Sequence, residues 1–217
     1  MSWDDQYTRY KHLWGDKPSE LAIFAIAYLR RQRFQTERMN IIDIGCGYGR
    51  DALHLLQHTG CRILGIDNSP KAIEMALTIC SKEPQLNIRF NCCSFTELMS
   101  KEFDVVFMSN LYQLLKPHER AELRDAIRRV LQPSGLVFLS TLSVNDPEHH
   151  GKGTPVANDK NSFVDEKYLH FCTRPELEQD FSFLNIAELH EHRYEESRAT
   201  GQSHHHISWM LAGQYLF

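Results

Sequence analysis

Apolar positions in this chain fall into short runs separated by turn residues, and the spacing inside each run names an element. Ile41, Ile42 and Ile44 are β-branched and crowded together, the mark of a short buried strand. Three glycines follow at alternate positions, 45, 47 and 49, and from Arg50 to Leu56 the apolar residues fall at helical spacing. Arg62 to Ile66 predicts a second strand. Ser69 with Pro70 behind it caps a helix running to about Cys80. Leu86 to Phe90 alternates as a third strand, and the near-continuous run from Phe103 to Met108 predicts a fourth, buried on both faces. Lys116-Pro117 opens a helix carrying Ala121, Leu123, Ile127, Val130 and Leu131. The turn Gln132-Pro133-Ser134-Gly135 leads into a fifth strand from Leu136 to Thr141. This alternation of strand and helix predicts a parallel sheet wound on both faces.

The two ends of the chain read differently. Asp16-Lys17-Pro18-Ser19-Glu20 is a helix start, with Ser or Asp as cap, and the helix continues to Arg31. Asn145 to Ser162 is polar and broken by Pro147, Gly151, Gly153 and Pro155; a connection this long reads as a lid or binding loop. Thr173 caps a helix through Phe181, Leu184 to His190 begins a strand, Glu195 to Ser203 makes a polar turn, and His206 to Ala212 returns as the last strand. The predicted fold class is α/β, a doubly wound seven-stranded sheet, mostly parallel and closing on a hairpin.

The glycine run carries the first candidate chemistry. Strand, glycine turn and helix are followed by a second strand ending in Asp67, 22 positions after Gly45. That is close to the spacing of roughly 20 expected of an acid that binds ribose hydroxyls in a βαβ nucleotide fold. Glycine turns are often mere tight connections, and an acid after a strand is often a helix cap. Here Ser69 and Pro70 supply the cap and leave the Asp67 carboxylate free. The run is G-x-G-x-G rather than the G-x-G-x-x-G of a dinucleotide site, with carboxylates at Asp43 and Asp51 beside it.

At Ile41-Ile42-Asp43-Ile44-Gly45-Cys46-Gly47-Tyr48-Gly49 the sequence resembles the first motif of the class I S-adenosylmethionine (SAM)-dependent methyltransferases. The resemblance is densest over residues 40 to 142, and the C-terminal half is loosely similar to the tellurite-resistance-type branch. It implies SAM as cofactor, a last strand antiparallel to strand five, and SAM lying over Gly45, Cys46 and Gly47 with Asp67 on the ribose. Asp43, Arg50, Asn68 and Trp14 complete the implied contacts, and Ser109 lines the methionine end. Ser94 stands where similar enzymes commonly carry an acid that accepts from the adenine amino group, with Phe95 at the ring edge. The aromatic stretch Trp3, Tyr7, Tyr10 and Trp14 is either a packing arm or a lid over the cofactor.

Composition narrows the partners. A chain of 217 residues, 42% hydrophobic and 24% charged, suits one domain over 1–217: an N-terminal lid and helix (1–35), a cofactor-binding core (36–142), and an acceptor-side loop and hairpin (143–217). The net charge of −4 and the absence of a basic block argue against nucleic acid. No apolar run is long enough for a membrane span, and six cysteines without C-x-x-C spacing fit a reducing cytoplasm. Oligomeric state is not encoded in any feature of the pattern.

The expected activity is methyl transfer to a small-molecule acceptor by in-line displacement. A non-catalytic SAM-binding scaffold and an NAD-dependent oxidoreductase are the alternatives. Tyr112, after the fourth strand, is the first choice for a residue touching the acceptor, with His204 and His206 second. The wider set His190, His192, His204, His205 and His206 reads first as solvated surface, then as acceptor pocket and last as a metal site; no metal ligand is assigned, because the sequence places no cysteine or carboxylate beside them, though Glu195 and Glu196 lie across the turn.

Overall fold

Ile41 and Ile42 point to opposite faces of one sheet, and both faces are buried. In the computed structural model, which describes residues 2–10, 14–81, 86–197 and 203–216, α1 (Trp3–Arg9) and α2 (Glu20–Arg31) precede β1 (Asn40–Ile44). Then come α3 (Arg50–Thr59), β2 (Arg62–Asp67), α4 (Pro70–Cys80), β3 (Ile88–Cys92), β4 (Phe103–Ser109), α5 (Pro117–Val130) and β5 (Leu131–Leu142). Three short strands follow, β6 (Thr154–Pro155), β7 (Ser162–Val164) and β8 (Tyr168–His170). The chain closes with α6 (Arg174–Asp180) and two long strands, β9 (Leu184–Ser197) and β10 (Ser203–Tyr215). The main sheet runs β3-β2-β1-β4-β5-β10-β9, with β10 antiparallel to both its neighbours and the pairs from β3 to β5 parallel. This is the doubly wound, seven-stranded, mostly parallel sheet with an antiparallel last strand.

Its two cores follow from strand alternation. Ile41, Val105 and Phe107 pack with Ala25 of α2, Leu55 of α3 and Ala76 of α4. Ile42, Ile44, Val106 and Met108 pack with Leu123 and Ile127 of α5 and Leu177 of α6. Among the described residues no helix is long and apolar enough to cross a membrane.

The departures from the sequence pattern lie mostly where polar residues are held by distant partners. The third strand sits two residues later than expected, at Ile88–Cys92. The turn at Gln132–Gly135 is a loop inside β5: pairing with β4 jumps from Phe103–Leu131 to Val105–Leu136, and Ser134 takes a φ of +63°. The connection from Asn145 to Ser162 is not plain loop. It supplies the first strands of a second, antiparallel sheet, β6-β7-β8. Buried Arg120 on α5 anchors that sheet, donating to the Leu115 carbonyl, the Tyr168 hydroxyl and Asp159, each at 2.8 Å.

The hairpin is longer than expected. Glu195–Ser197 and Ser203 belong to its ladder, while the centre of the predicted turn, 198–202, lies outside the described residues. β10 pairs with β5 only from Ser208 onward, so its first residues reach past the carboxyl end of β5. There the chain leaving β5 crosses them, with Ser143 N donating to the Ile207 carbonyl at 2.9 Å. His206 is thereby carried to the end of the sheet where open α/β folds bind ligands.

Candidate functional site

The glycine turn is built against β2. Gly45 N and Cys46 N both donate to the Ile66 carbonyl, at 2.8 and 3.0 Å. Gly47 N donates to Asp67 Oδ2 at 2.9 Å, while Asp67 Oδ1 accepts from Ser69 N at 2.9 Å. The Asp67 carboxylate is thus not free, as the sequence suggested, although Ser69 does cap α4. It holds the turn and the helix entry together, because both N–H groups lack partners in regular structure. A carboxylate has about four acceptor sites, so capacity remains for a further donor. Gly47 has φ +55°, and a Cβ there would come within 2.8 Å of the Tyr7 hydroxyl.

Tyr7 belongs to α1, which closes over the turn. Ser2 caps α1, and Asp4 reaches α4, accepting from the Ser69 hydroxyl and from Lys71 N. Tyr7 packs edge-on against Tyr48 at 6.1 Å and Trp3 lies 6.2 Å from Tyr7, so the aromatic arm both packs and walls the site. Trp14 and Gly15 are fastened by two residues flanking the last glycine. The Tyr48 hydroxyl donates to the Gly15 carbonyl at 2.6 Å, and Arg50 donates to the Trp14 carbonyl. Burial pushes the Tyr48 phenol up to about 12, so it stays a donor at neutral pH. Replacing Ser69 with alanine removes the α4 cap and the tie to α1. The expected loss is about 1 kcal/mol, a Tm lower by roughly 2–4 °C in a thermal melt.

One cavity of about 1000 Å³ opens above the carboxyl ends of the parallel strands. Trp14, Asp43, Gly45, Cys46, Gly47, Arg50, Asp67, Asn68, Ser94, Phe95 and Ser109 all line it. Asp43 is 2% exposed, and burial first, then the nearby Asp51 and Asp67 charges, raises its carboxyl well above the usual range. Its Oδ2 and Gln113 Oε1, on the same cavity, are buried without a hydrogen-bond partner. Two unmatched acceptors along one cavity call for a ligand that donates or carries positive charge. Ser94 departs from expectation: its hydroxyl caps a short helical turn, accepting from Thr96 N at 3.2 Å and from the Thr96 hydroxyl at 2.8 Å. Both lone pairs are used, which leaves the hydroxyl proton to donate.

At the far end of the cavity the expectations are partly overturned. Tyr112 is fully buried on the α5 side of the sheet, donating to Asp180 at 2.5 Å and accepting from Arg124 at 2.7 Å. Asn110, at φ +56°, starts a single tight turn that sends Tyr112 into the core, while Gln113 of the same turn lines the cavity. His206 does line the cavity, with His149 and Tyr194; His204 does not. Neither is a solvated surface group. His206 Nδ1 lies 3.2 Å from Asp146, and His204 Nδ1 lies 2.9 Å from Glu148. His192 sits 3.0 Å from Glu20, and only His190 and His205 are exposed. His149, Tyr194 and Gln113 carried no periodic or motif signal, although Gln113 lies in the run after β4 that the sequence marked.

Residues 41–135 match the family model of a methyltransferase domain. The chain carries a methyltransferase domain over those residues, on the fold of the class I SAM-dependent methyltransferases. Among curated proteins it is 27% identical over 184 residues to a carboxy-S-adenosyl-L-methionine synthase from Psychromonas ingrahamii, covering 81% of this chain and 74% of that one. Of other relatives with the same name it spans about half the length. Among solved structures, a SAM-dependent methyltransferase from Methanosarcina mazei superimposes with a TM-score of 0.71 at 23% identity, covering 87% of this chain and 97% of that one. TehB from Haemophilus influenzae gives 0.66 at 13% identity, covering 88% and 61%. The protein is a SAM-dependent enzyme.

Proposed function

We propose that the enzyme transfers the SAM methyl group to a small-molecule acceptor by in-line displacement within the cavity described above. The observation that carries this reading is continuity: a single cavity runs from the glycine turn to His149, Tyr194 and His206. Its volume of about 1000 Å³ stands at the upper end of the usual range for ligand sites, room for a cofactor and a small second substrate. α1 and the small sheet roof it, tied across by Lys167, which donates to Gln6 and lies 3.7 Å over the Trp3 ring.

In this reading Asp67 takes the ribose hydroxyls with its remaining acceptor capacity. Ser94 donates to a ring nitrogen of adenine, with Phe95 along its edge, and Ser109 borders the methionine end. Asp43 Oδ2 and Gln113 Oε1 are matched by the positive methionine portion. Bound there, SAM supplies an activated methyl on a sulfonium, so the protein has mainly to align donor and acceptor and exclude water. His206, backed by Asp146, takes over from Tyr112 as the group facing the acceptor. A nicotinamide dinucleotide fits worse, since its pyrophosphate would meet the unpartnered Asp43.

Asp43 gives a pH signature. Its carboxyl titrates in a raised range, and a cationic ligand favours the ionised form. SAM affinity is therefore expected to rise with pH through that range, with a proton released on binding. Calorimetry in two buffers of different ionisation enthalpy measures the release, and Asp43→Asn should abolish it. The activity itself is tested by incubating labelled SAM with small thiols, metalloid oxyanions, amines, carboxylates and a small-metabolite extract. S-Adenosylhomocysteine and one labelled small product are expected. Label that stays in SAM, or a SAM that gains a carboxyl group as the relatives' name describes, would contradict methyl transfer.

A further inference from the structure

Three imidazoles converge where the chain leaving β5 crosses the start of β10. His149, His204 and His206 each offer a ligand atom, and the three atoms lie within 4.8 Å of one another. His204 and His206 share a strand face, so their rings run nearly parallel, 7° apart with centroids 6.0 Å apart. The His149 ring stands 5.8 Å from the first and 5.1 Å from the second.

Two of the three are oriented by carboxylates that are themselves held by main chain. Asp146 Oδ2, at His206 Nδ1, also accepts from Ile207 N at 3.0 Å. Asp146 Oδ1 accepts from Glu148 N and His149 N at 3.1 and 2.8 Å. Glu148 meets His204 Nδ1 with one oxygen and His205 N with the other, at 2.7 Å. A carboxylate at Nδ1 draws the proton there and turns the Nε2 lone pair outward. Metal-ligating histidines almost always donate their other ring N–H in this way. In a second cluster, His170, Cys172 and Glu176, both His170 nitrogens are taken, by Ser162 at 2.8 Å and Glu176 at 2.7 Å.

We propose that His149, His204 and His206 bind a divalent transition metal of the zinc class, with Asp146 and Glu148 as the carboxylates that orient two of the ligands. Imidazole ligands suit zinc, cobalt, nickel and copper rather than magnesium or calcium. Bonds of about 2.0–2.1 Å in a tetrahedron put ligand nitrogens roughly 3.3 Å apart, so the largest separation has to close by about 1.5 Å. Three protein ligands leave a position open, the pattern of reactive rather than structural zinc. Since His149 and His206 line the cavity, that position opens toward it. Its facing a methyl acceptor rests on the function proposed above, whereas the binding of the metal does not.

The test uses the full chain, stripped with chelator and titrated with cobalt(II), followed by visible absorption, then with zinc by calorimetry. One ion per chain is expected, with the cobalt band displaced by zinc. His149→Ala and His204→Ala should each weaken binding at least 100-fold, and Glu148→Gln roughly 10–100-fold. Unchanged S-adenosylhomocysteine affinity in His204→Ala shows that the variant is folded. A wild type that takes up no cobalt, or binds it equally after both histidine substitutions, overturns the site. An unchanged affinity in Glu148→Gln overturns the part given to the carboxylate. None of these readouts uses methyl transfer, so a metal-binding chain without turnover would refute the methyltransferase reading alone.

Discussion

Asp67→Ala is expected to cut SAM affinity by two to four orders of magnitude. The variant loses two hydrogen bonds to a charged acceptor, each worth about 1.5–3 kcal/mol, or roughly 3–6 kcal/mol together. It also releases Gly47 N, which donates to the same carboxylate at 2.9 Å, so the turn loses its brace as well as the ribose its partner. Asp67→Asn separates the two effects. Its amide oxygen can still accept from Gly47 N, but the negative charge is gone, and an intermediate affinity is expected. Calorimetric titration measures both variants, with circular dichroism to confirm the fold. Wild-type affinity in Asp67→Ala would remove this residue from the cofactor site.

The second large effect is on folding. Gly49 caps α3 at φ +82°, and a Cβ there would come within 2.5 Å of Phe90 Cζ and 2.9 Å of Phe90 Cε1. The left-handed conformation costs a side chain about 1–2 kcal/mol, and pressing a methyl into the packed core adds about 1–3. Gly49→Ala should therefore lose roughly 2–5 kcal/mol, a Tm lower by roughly 4–20 °C at a scale of about 2–4 °C per kcal/mol. Phe90→Leu in the same chain should return the packing part and leave the backbone part, so the double variant melts above the value that additivity gives. A thermal melt of the four proteins decides it. A Gly49→Ala protein melting within 2 °C of wild type, about 1 kcal/mol or less, would refute the contact.

These two residues were legible in the sequence because their constraints are local. A strand buried on both faces, glycines where a side chain would collide, and an acid at the end of the next strand leave marks within 30 residues of each other. The parallel strands and the antiparallel last strand follow from the same alternation together with the family resemblance. What the sequence hid depends on partners far along the chain. The small sheet is held by Arg120 acting on Asp159 and Tyr168, so a polar, proline-containing stretch that reads as loop acquires strands. Tyr112 was misassigned because one positive-φ residue, Asn110, decides which side of the next turn faces the cavity, and asparagine gives little warning of it. The histidines read as solvated because their carboxylate partners, Asp146 and Glu148, stand 60 and 56 residues away. Ser94 sits where an adenine contact was expected, but its hydroxyl was already claimed two residues on, by Thr96.

The central claim is that the cavity above Gly45–Gly49 receives SAM with its positive end at Asp43 and Gln113. A crystal structure of the chain with S-adenosylhomocysteine tests it most directly. The account expects the ribose hydroxyls on Asp67, the amino group of the amino-acid portion against Asp43 Oδ2 and Gln113 Oε1, and the sulfur turned toward the end of the cavity that holds His206. A ligand with its ribose away from Asp67, or its amino-acid portion away from Asp43 and Gln113, would contradict it.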